Sequence, residues 1–255
     1  MQYILSESDK IIENQCFVGA LSARELHEDG RPRHTFRTFT VLAEGNRTVF
    51  KNCVFENNAG SGKLVGQAIA LYVDADDVVL ENCVLKGHQD TLFLAPLPPK
   101  EYEKDGFLGP KQFEPRTRRH VVLKDCRIEG GVDFVFGGAY AEFINCEFVS
   151  VEEGYVFAPC TPEGQEEGFV CTGCRFTAAE GVAAESCFIA RPWREYAKVR
   201  LNNCYLGEHI NPAGWDDWGK TEVHSTILFE EYGSYGPGAE HAARPEYVAF
   251  KKKDD

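Results

Sequence analysis

Short runs of large apolar residues recur along the chain, each bounded by polar or turn-forming residues. Phe39-Thr40-Val41-Leu42, Val78-Val79-Leu80, His120-Val121-Val122-Leu123, Ala141-Glu142-Phe143-Ile144 and Lys198-Val199-Arg200-Leu201 are rich in β-branched or aromatic residues, and several alternate apolar with polar positions. That is the pattern of short strands with one buried face. Turn clusters such as Glu44-Gly45-Asn46 and Asp74-Ala75-Asp76-Asp77 lie between them. No window carries the apolar i, i+3, i+4, i+7 spacing over a length that makes a helix. The pattern predicts an all-β chain.

A repeat is superimposed on these strands. Asn52-Cys53-Val54-Phe55, Asn82-Cys83-Val84-Leu85, Asp125-Cys126-Arg127-Ile128, Asn145-Cys146-Glu147-Phe148, Gly173-Cys174-Arg175-Phe176 and Asn203-Cys204-Tyr205-Leu206 share a small or polar residue, Cys, a variable residue and a large apolar one. The cysteines are 30, 43, 20, 28 and 30 residues apart. Self-similarity at such a period marks a solenoid in which each turn buries its apolar face only against its neighbours. Cys at this position reads as a small buried hydrophobe stacked in a ladder, not as a disulfide partner or metal ligand. At about 4.8 Å per coil, seven or eight coils make a rod roughly 35 Å long. The architecture expected is a single-stranded right-handed parallel β-helix over residues 1–255, with a flank suited to a long polymer.

Two segments interrupt the repeat. Residues 94–119 hold Pro96, Pro98, Pro99, Pro110 and Pro115 with mixed charge, account for the 43-residue interval, and read as an inserted loop standing off the solenoid. Residues 232–255, with Gly236-Pro237-Gly238 and the terminal Lys251-Lys252-Lys253-Asp254-Asp255, read as an irregular tail.

Composition narrows the function. A length of 255 residues allows one large core, and 43% hydrophobic with 12% aromatic content argues against disorder. Net charge is −13, and no basic patch stands out to bind a polyanion, so nucleic acid is not an expected partner. No stretch approaches the roughly 20 apolar residues of a spanning helix, so no membrane partner is expected either. The opening MQYILSESDK lacks the basic start and apolar core of a signal peptide. As written, the chain is expected in the cytoplasm, where ten cysteines without evident pairing are tolerated.

Several kinds of chemistry drop out. There is no His-Glu-x-x-His for zinc and no Gly-x-Ser-x-Gly elbow. Gly60-Ser61-Gly62-Lys63 is a poor phosphate loop, with Asn57 at the first Gly position and Leu64 where Ser or Thr is needed. Cys171-Thr172-Gly173-Cys174 has no second pair to complete a metal site. What remains is a pair of Asp residues in unusual settings.

Those settings are specific. Gln67-Ala68-Ile69-Ala70-Leu71, Gly87-His88-Gln89-Asp90-Thr91-Leu92-Phe93, Gly131-Val132-Asp133-Phe134-Val135-Phe136-Gly137, Ala190-Arg191-Pro192-Trp193 and Gly214-Trp215-Asp216-Asp217-Trp218 follow one another in this order. On these motifs, from about Thr35-Phe36-Arg37 to Pro237, the chain resembles the pectin methylesterases, carbohydrate esterases built on a right-handed parallel β-helix. The resemblance implies that Asp133 is the nucleophile at the C6 carbonyl of a methyl galacturonate unit. Asp90 would be the acid that protonates departing methanol and then the base that activates water. Gln67 and Gln89 would bind the oxyanion, and Arg191 would orient Asp133. Trp193, Tyr72 and Phe136 would line the sugar groove. No metal or organic cofactor is implied, and the expected partner is methyl-esterified homogalacturonan or its oligomers, bound by a monomer.

The physics of the residues runs alongside. Asp133 lies among Val132, Phe134, Val135 and Phe136, so burial raises its pKa unless a cation such as Arg191 holds it ionised. Two carboxyls held close split their pKa values and leave one protonated. Taken singly, each Asp also fits a turn or a hydrogen-bonding group, Tyr72 and Phe136 fit ordinary wall positions, and His88 fits a structural neighbour. Trp215 and Trp218 fit equally a cover over the solenoid and a wall of the groove. Two other classes remain open: a β-helix polygalacturonase or pectate lyase, and a non-catalytic carbohydrate-binding β-helix.

The chain departs from the family pattern in three places. Ala190 replaces the usual Gly before Arg-Pro-Trp. The insertion between the two Asp motifs is longer than in plant members. Only 34 residues precede Thr35, without the Gly-x-Tyr-x-Glu motif, so the reading expects the family's N-terminal cap and first coils to be lacking, and leaves secretion, usual for the family, undecided. The charge of −13 adds an expectation that highly methylated, nearly neutral substrate is preferred over anionic pectate.

Overall fold

The structure, a computed structural model, describes residues 1–251. Its alternating segments wind into three columns of short strands, paired in parallel throughout, which make a right-handed parallel β-helix. The first column runs through Tyr3–Leu5, Val41–Ala43, Leu71–Val73 and Leu92–Leu94, and continues in the distal halves of the long strands Arg127–Gly137 and Glu147–Pro159 before Cys187–Ala190. Nine strands form the second column, from Ile11–Glu13 to Val248–Lys251. The third includes Cys16–Gly19, Val54–Asn57, Val84–Lys86, Arg175–Ala178 and Tyr205–Leu206.

Register explains how a chain without long hydrophobic segments builds a core. In the second column Phe50, Leu80, Leu123, Phe143, Cys171 and Leu201 are direct neighbours from coil to coil, all buried. In the third, Phe17, Phe55, Leu85, Ile128, Phe148, Phe176 and Leu206 do the same. Each inward position thus meets its like above and below, and truncating one such Phe to Ala costs about 3–5 kcal/mol.

The Asn-Cys repeat proves to be the corner between the second and third columns. Asn14, Asn52, Asn82, Asp125, Asn145, Gly173, Asn203 and Gly233 all adopt left-handed backbone, with φ between 51° and 66°. Asn, Asp and Gly bear that conformation at least cost. The Asn side chains also ladder: Asn82 donates to Asn52 at 2.8 Å, and Asn52 to Asn14 at 3.3 Å. The cysteine that follows turns inward, and Cys53, Cys83, Cys126, Cys146, Cys174 and Cys204 are all buried free thiols. Their Sγ atoms meet carbonyl oxygens of the preceding coil, as Cys174 does with Phe143 at 3.2 Å.

Two expectations are corrected. Residues 95–119 contain no regular element, yet they pack onto the solenoid instead of standing off it, burying Leu97, Phe107 and Leu108. Phe107 supplies the reason, since its ring lies edge-on to Phe36 and to Trp193 at centroid distances of 6.1 and 6.3 Å. Nor is the C-terminal segment irregular throughout. Pro237–Glu240 forms a helical turn, and Val248–Lys251 pairs with Leu228–Tyr232 as the last coil of the second column. Val199 is followed in register by Phe229 and then Val248, all buried, so the apolar ladder carries on beyond Tyr232. Residues 252–255 of the predicted tail lie outside the described residues.

Candidate active site

The first column carries the polar motifs at its N-terminal edge. Leu92 pairs with Leu71 on one side and with Val135 on the other. Asp90 and Asp133, each two residues before the paired position, therefore face the same edge on adjacent coils, and the Asp90 amide donates to the Val132 carbonyl at 3.1 Å. Asp133 sits in a bulge: Val132 pairs with Tyr155 and Val135 with Phe157, so two residues of one strand oppose Val156 alone. Both aspartates are left-handed, with φ of 63° at Asp90 and 50° at Asp133. A bulge re-aims a side chain, and left-handed backbone at a non-glycine residue costs of order 1–3 kcal/mol. Here both devices turn carboxyl groups out of the wall and into a cleft.

That cleft, about 190 Å³, is lined by Gln67, Gln89, Asp90, Asp133, Phe136, Arg191 and Trp193, together with Thr35, Phe36, Gly106, Ala158 and Trp218. It thus brings together seven of the eight residues singled out from the sequence. The eighth, Tyr72, is a correction. It is fully buried within Leu71–Val73, packed against Phe36, Phe39 and Phe93, and cannot meet a ligand. Ala95, Leu97 and Phe107 of the inserted segment belong to the same cluster and help to cover that face of the column.

Arg191 grips Asp133 through two bonds, Nε to Oδ1 at 2.8 Å and Nη2 to Oδ2 at 2.6 Å. The guanidinium lies over the Tyr155 ring at 3.9 Å and the Trp218 ring at 3.7 Å. Planar, delocalised charge between two aromatic faces is held in one orientation, which lysine would not reproduce. Trp218 is thus part of the site, while its partner in the motif, Trp215, is buried in the core. Lys220 secures the far rim by donating to the carbonyls of Pro192 at 2.7 Å and Trp193 at 3.3 Å.

The two carboxyl groups differ in what surrounds them. Asp90, 8% exposed, makes no side-chain hydrogen bond among the described residues. Burial, then the charge of Asp133, push it well above the usual carboxylate range against a pull from Arg191. Asp133, 7% exposed, is also pushed up by burial, but the Arg191 bonds oppose that rise and leave it less displaced. The pair is therefore poised with Asp133 the more readily ionised and Asp90 the keeper of the proton. Gln67 and Gln89 line the same cleft, and their side-chain amides bond to none of the described residues.

Gln89 is backed by a loop that sequence reasoning set aside. In the short helix Gly62–Val65, a Cβ added to Gly62 would fall 2.5 Å from both Cβ and Oε1 of Gln89. Ser61 Oγ donates to Glu152 Oε2 at 2.7 Å, Lys63 pairs with Glu153 at 2.7 Å, and His88 Nδ1 lies 3.2 Å from Glu152 Oε1. The Gly-Ser-Gly-Lys segment is a buttress, and His88 is its neighbour. Tyr155 and Phe36, which sequence reasoning missed, lie outside the five motifs; Tyr155 is marked only by its register with Val132, and Phe36 only by its packing against Phe136.

A family profile described as Pectinesterase matches residues 17–97 and 116–255. Among curated relatives, Pectinesterase 31 of Arabidopsis thaliana is 34% identical over 206 residues, covering 80% of this chain and 57% of the relative. Pectinesterase/pectinesterase inhibitor 18 of the same organism is 32% identical over 227 residues, 85% of this chain and 36% of the relative. The chain thus spans less than two thirds of the length of either. A crystal structure of a pectin methylesterase in complex with a hexasaccharide superposes with a TM-score of 0.75 at 23% identity, over 99% of this chain and 81% of that one, which establishes a shared fold.

Proposed function

The chain belongs to the pectinesterase family, and from that premise we propose that it hydrolyses the methyl esters of polygalacturonan to pectate and methanol. The observation that carries this reading is the asymmetry of the carboxyl pair: Asp133 bonded twice to Arg191, and Asp90 buried beside it without a hydrogen-bonding partner. The hexasaccharide bound by the solved relative supports a pectin oligosaccharide as occupant of the cleft.

In the first half-reaction an Asp133 carboxylate oxygen attacks the ester carbon at C6. The carbonyl oxygen takes up negative charge and is met by the free NH₂ groups of Gln67 and Gln89, a contribution of about 3–4 kcal/mol per donor in comparable sites. The C–OCH₃ bond then breaks, the proton of Asp90 passes to the leaving oxygen, and methanol departs from an acyl-enzyme. In the second, Asp90, now a carboxylate, takes a proton from water as its oxygen bonds to C6. Collapse expels Asp133 as carboxylate and frees the galacturonic acid. Asp90 ends protonated as it began, so the cycle balances as ester plus water to acid plus methanol. Arg191 keeps Asp133 ionised and aimed throughout. Trp193 offers apolar surface to a pyranose face, and Phe136, buried to 4% exposure, backs it.

The test is methanol release from highly methylated pectin by the purified protein, with Asp133→Ala and Asp90→Asn alongside. Release that both substitutions abolish, with polymer length unchanged, is expected. Shortened chains or unsaturated ends would point to a polygalacturonase or lyase, and a folded protein that binds pectin without releasing methanol would be a sugar-binding module.

A further inference from the structure

The family profile leaves residues 98–115 unmatched, and these residues stand at the cleft. Gly106 lines it, and both Gly106 and Glu103 line a second cavity of about 390 Å³ formed with Ala23, Arg24, Pro32 and His34. The two cavities share Thr35, Gln67 and Gly106, so they adjoin at the glutamine assigned above to the oxyanion. We propose that the 98–115 segment is a specificity element, the common wall of both cavities, and that the second cavity holds the sugar next to the one whose ester reacts. This rests on the esterase reading of the cleft.

The wall is built to keep its shape without regular secondary structure. Near its start Tyr102 donates to Glu195 at 2.6 Å, Arg194 lies over the Tyr102 ring at 3.9 Å, and Arg194 also donates to the Lys100 carbonyl at 3.3 Å. In the middle Phe107 contacts Phe36 and Trp193. Asp105 faces Arg31 at 3.8 Å, tying the segment to the loop that carries Arg24 and His34. At its base Arg116 donates to the carbonyls of Pro98, Lys111, Gln112 and Glu114. The segment is thus fastened near its start to the coil carrying Trp193 and, at Asp105, to the N-terminal loop.

The lining of the second cavity matches a uronate unit. Arg24 spends Nη1 on the carbonyls of Leu64 and Lys63, at 2.8 and 3.4 Å, and its other N–H groups bond to none of the described residues. Arg24 and His34 offer donors for the C6 group, Glu103 accepts from ring hydroxyls, and Ala23 and Pro32 supply apolar surface. A linked polymer with one unit in the cleft must place a neighbour along the groove, so binding energy gained there is available to the reaction of the adjacent ester.

The test compares methyl galacturonate, a single unit, with methyl-esterified trigalacturonate as substrates of the intact protein. Two variants are used: a replacement of residues 98–115 by a short Gly-Ser linker, and Tyr102→Ala, which loosens the wall without shortening it. The ratio of kcat/KM for the trimer to that for the monomer is expected to fall about tenfold in both, mainly through KM for the trimer. Calorimetric binding of unesterified trigalacturonate, a readout independent of turnover, is expected to weaken by a similar factor. If Tyr102→Ala is folded and neither the ratio nor the binding changes, the inference is overturned while the esterase reading stands. If the parent releases no methanol from either substrate, the esterase reading fails and this inference with it.

Discussion

Arg191 with Asp133 and Arg244 with Glu231 are both two-bonded arginine–carboxylate pairs, at 2.6–2.8 Å in the first and 2.7–3.0 Å in the second. Their surroundings separate them. Glu231 is 0% exposed and the Arg244 side chain 1%. Glu231 also accepts from Trp215 Nε1 at 3.1 Å, while Arg244 donates to the carbonyls of Asn211, Pro212 and Gly238. Every strong donor and acceptor is consumed, and the pair pins the C-terminal segment to the last coils. At the cleft, Arg191 gives its remaining contacts to aromatic faces, and Asp133 has no other donor among the described residues. The same ion pair is a structural pin where neighbouring groups take up its donors and acceptors and, on the esterase reading, a reactive centre where they do not.

The sharpest way to break that contrast is to truncate each carboxylate. Asp133→Ala is expected to lower methanol release by roughly 10⁴-fold, whereas Glu231→Ala leaves turnover per folded molecule within about twofold, as titration of folded protein alongside the rate will check. Next in size, Arg244→Ala strands a buried carboxylate and is expected to cost about 3–5 kcal/mol of stability in urea unfolding. A smaller effect is expected at the aromatic clamp. Tyr155→Leu removes one face from Arg191 and should lower kcat about tenfold, with Tyr155→Phe restoring it, because the ring and not the hydroxyl holds the guanidinium. An equal loss in both variants would refute the clamp.

The smallest shift concerns pH. The proposed mechanism needs Asp133 ionised and Asp90 protonated, and both carboxyls lie above their ordinary value. The profile of kcat/KM is therefore expected to be a bell displaced above the normal carboxylate range, rising through Asp133 and falling through Asp90. Stability carries the opposite sign to the usual paired acid. Between its unfolded value and its raised folded value, Asp90 holds more protons in the native state, so its contribution is full at low pH and is lost as pH rises through the folded value. Asp90→Asn is thus expected to raise the thermal midpoint at neutral pH and to flatten its decline with pH while abolishing turnover. An unchanged midpoint at every pH would contradict the burial of a costly carboxyl.

Much of this was legible because a solenoid repeats its local physics. The Asn-Cys signature marked the ladder of small buried cysteines, which the structure places just after a left-handed corner, and the strand patterns around His120-Val121-Val122-Leu123 and Lys198-Val199-Arg200-Leu201 alternate as the burial does. The five motifs carried Asp90, Asp133, Gln67, Gln89, Arg191 and Trp193 to one cleft. Tyr72 was misplaced because its exposure depends on what covers its column, and the covering residues lie in a segment without periodicity. The Gly-Ser-Gly-Lys loop was set aside as a poor phosphate site, and its contact with Gln89 was not legible because the loop is held by Glu152 and Glu153 three coils away.

The alternation, the cysteine ladder and the family motifs can be read along the chain, since these depend on neighbours within a few residues and on a fixed rise per coil. How residues 98–115 fold back, which aromatic rings hold Arg191, and how far Asp90 and Asp133 diverge cannot. Those outcomes depend on which groups from distant coils exclude water from the same few cubic ångströms, and the linear order of residues does not encode that directly.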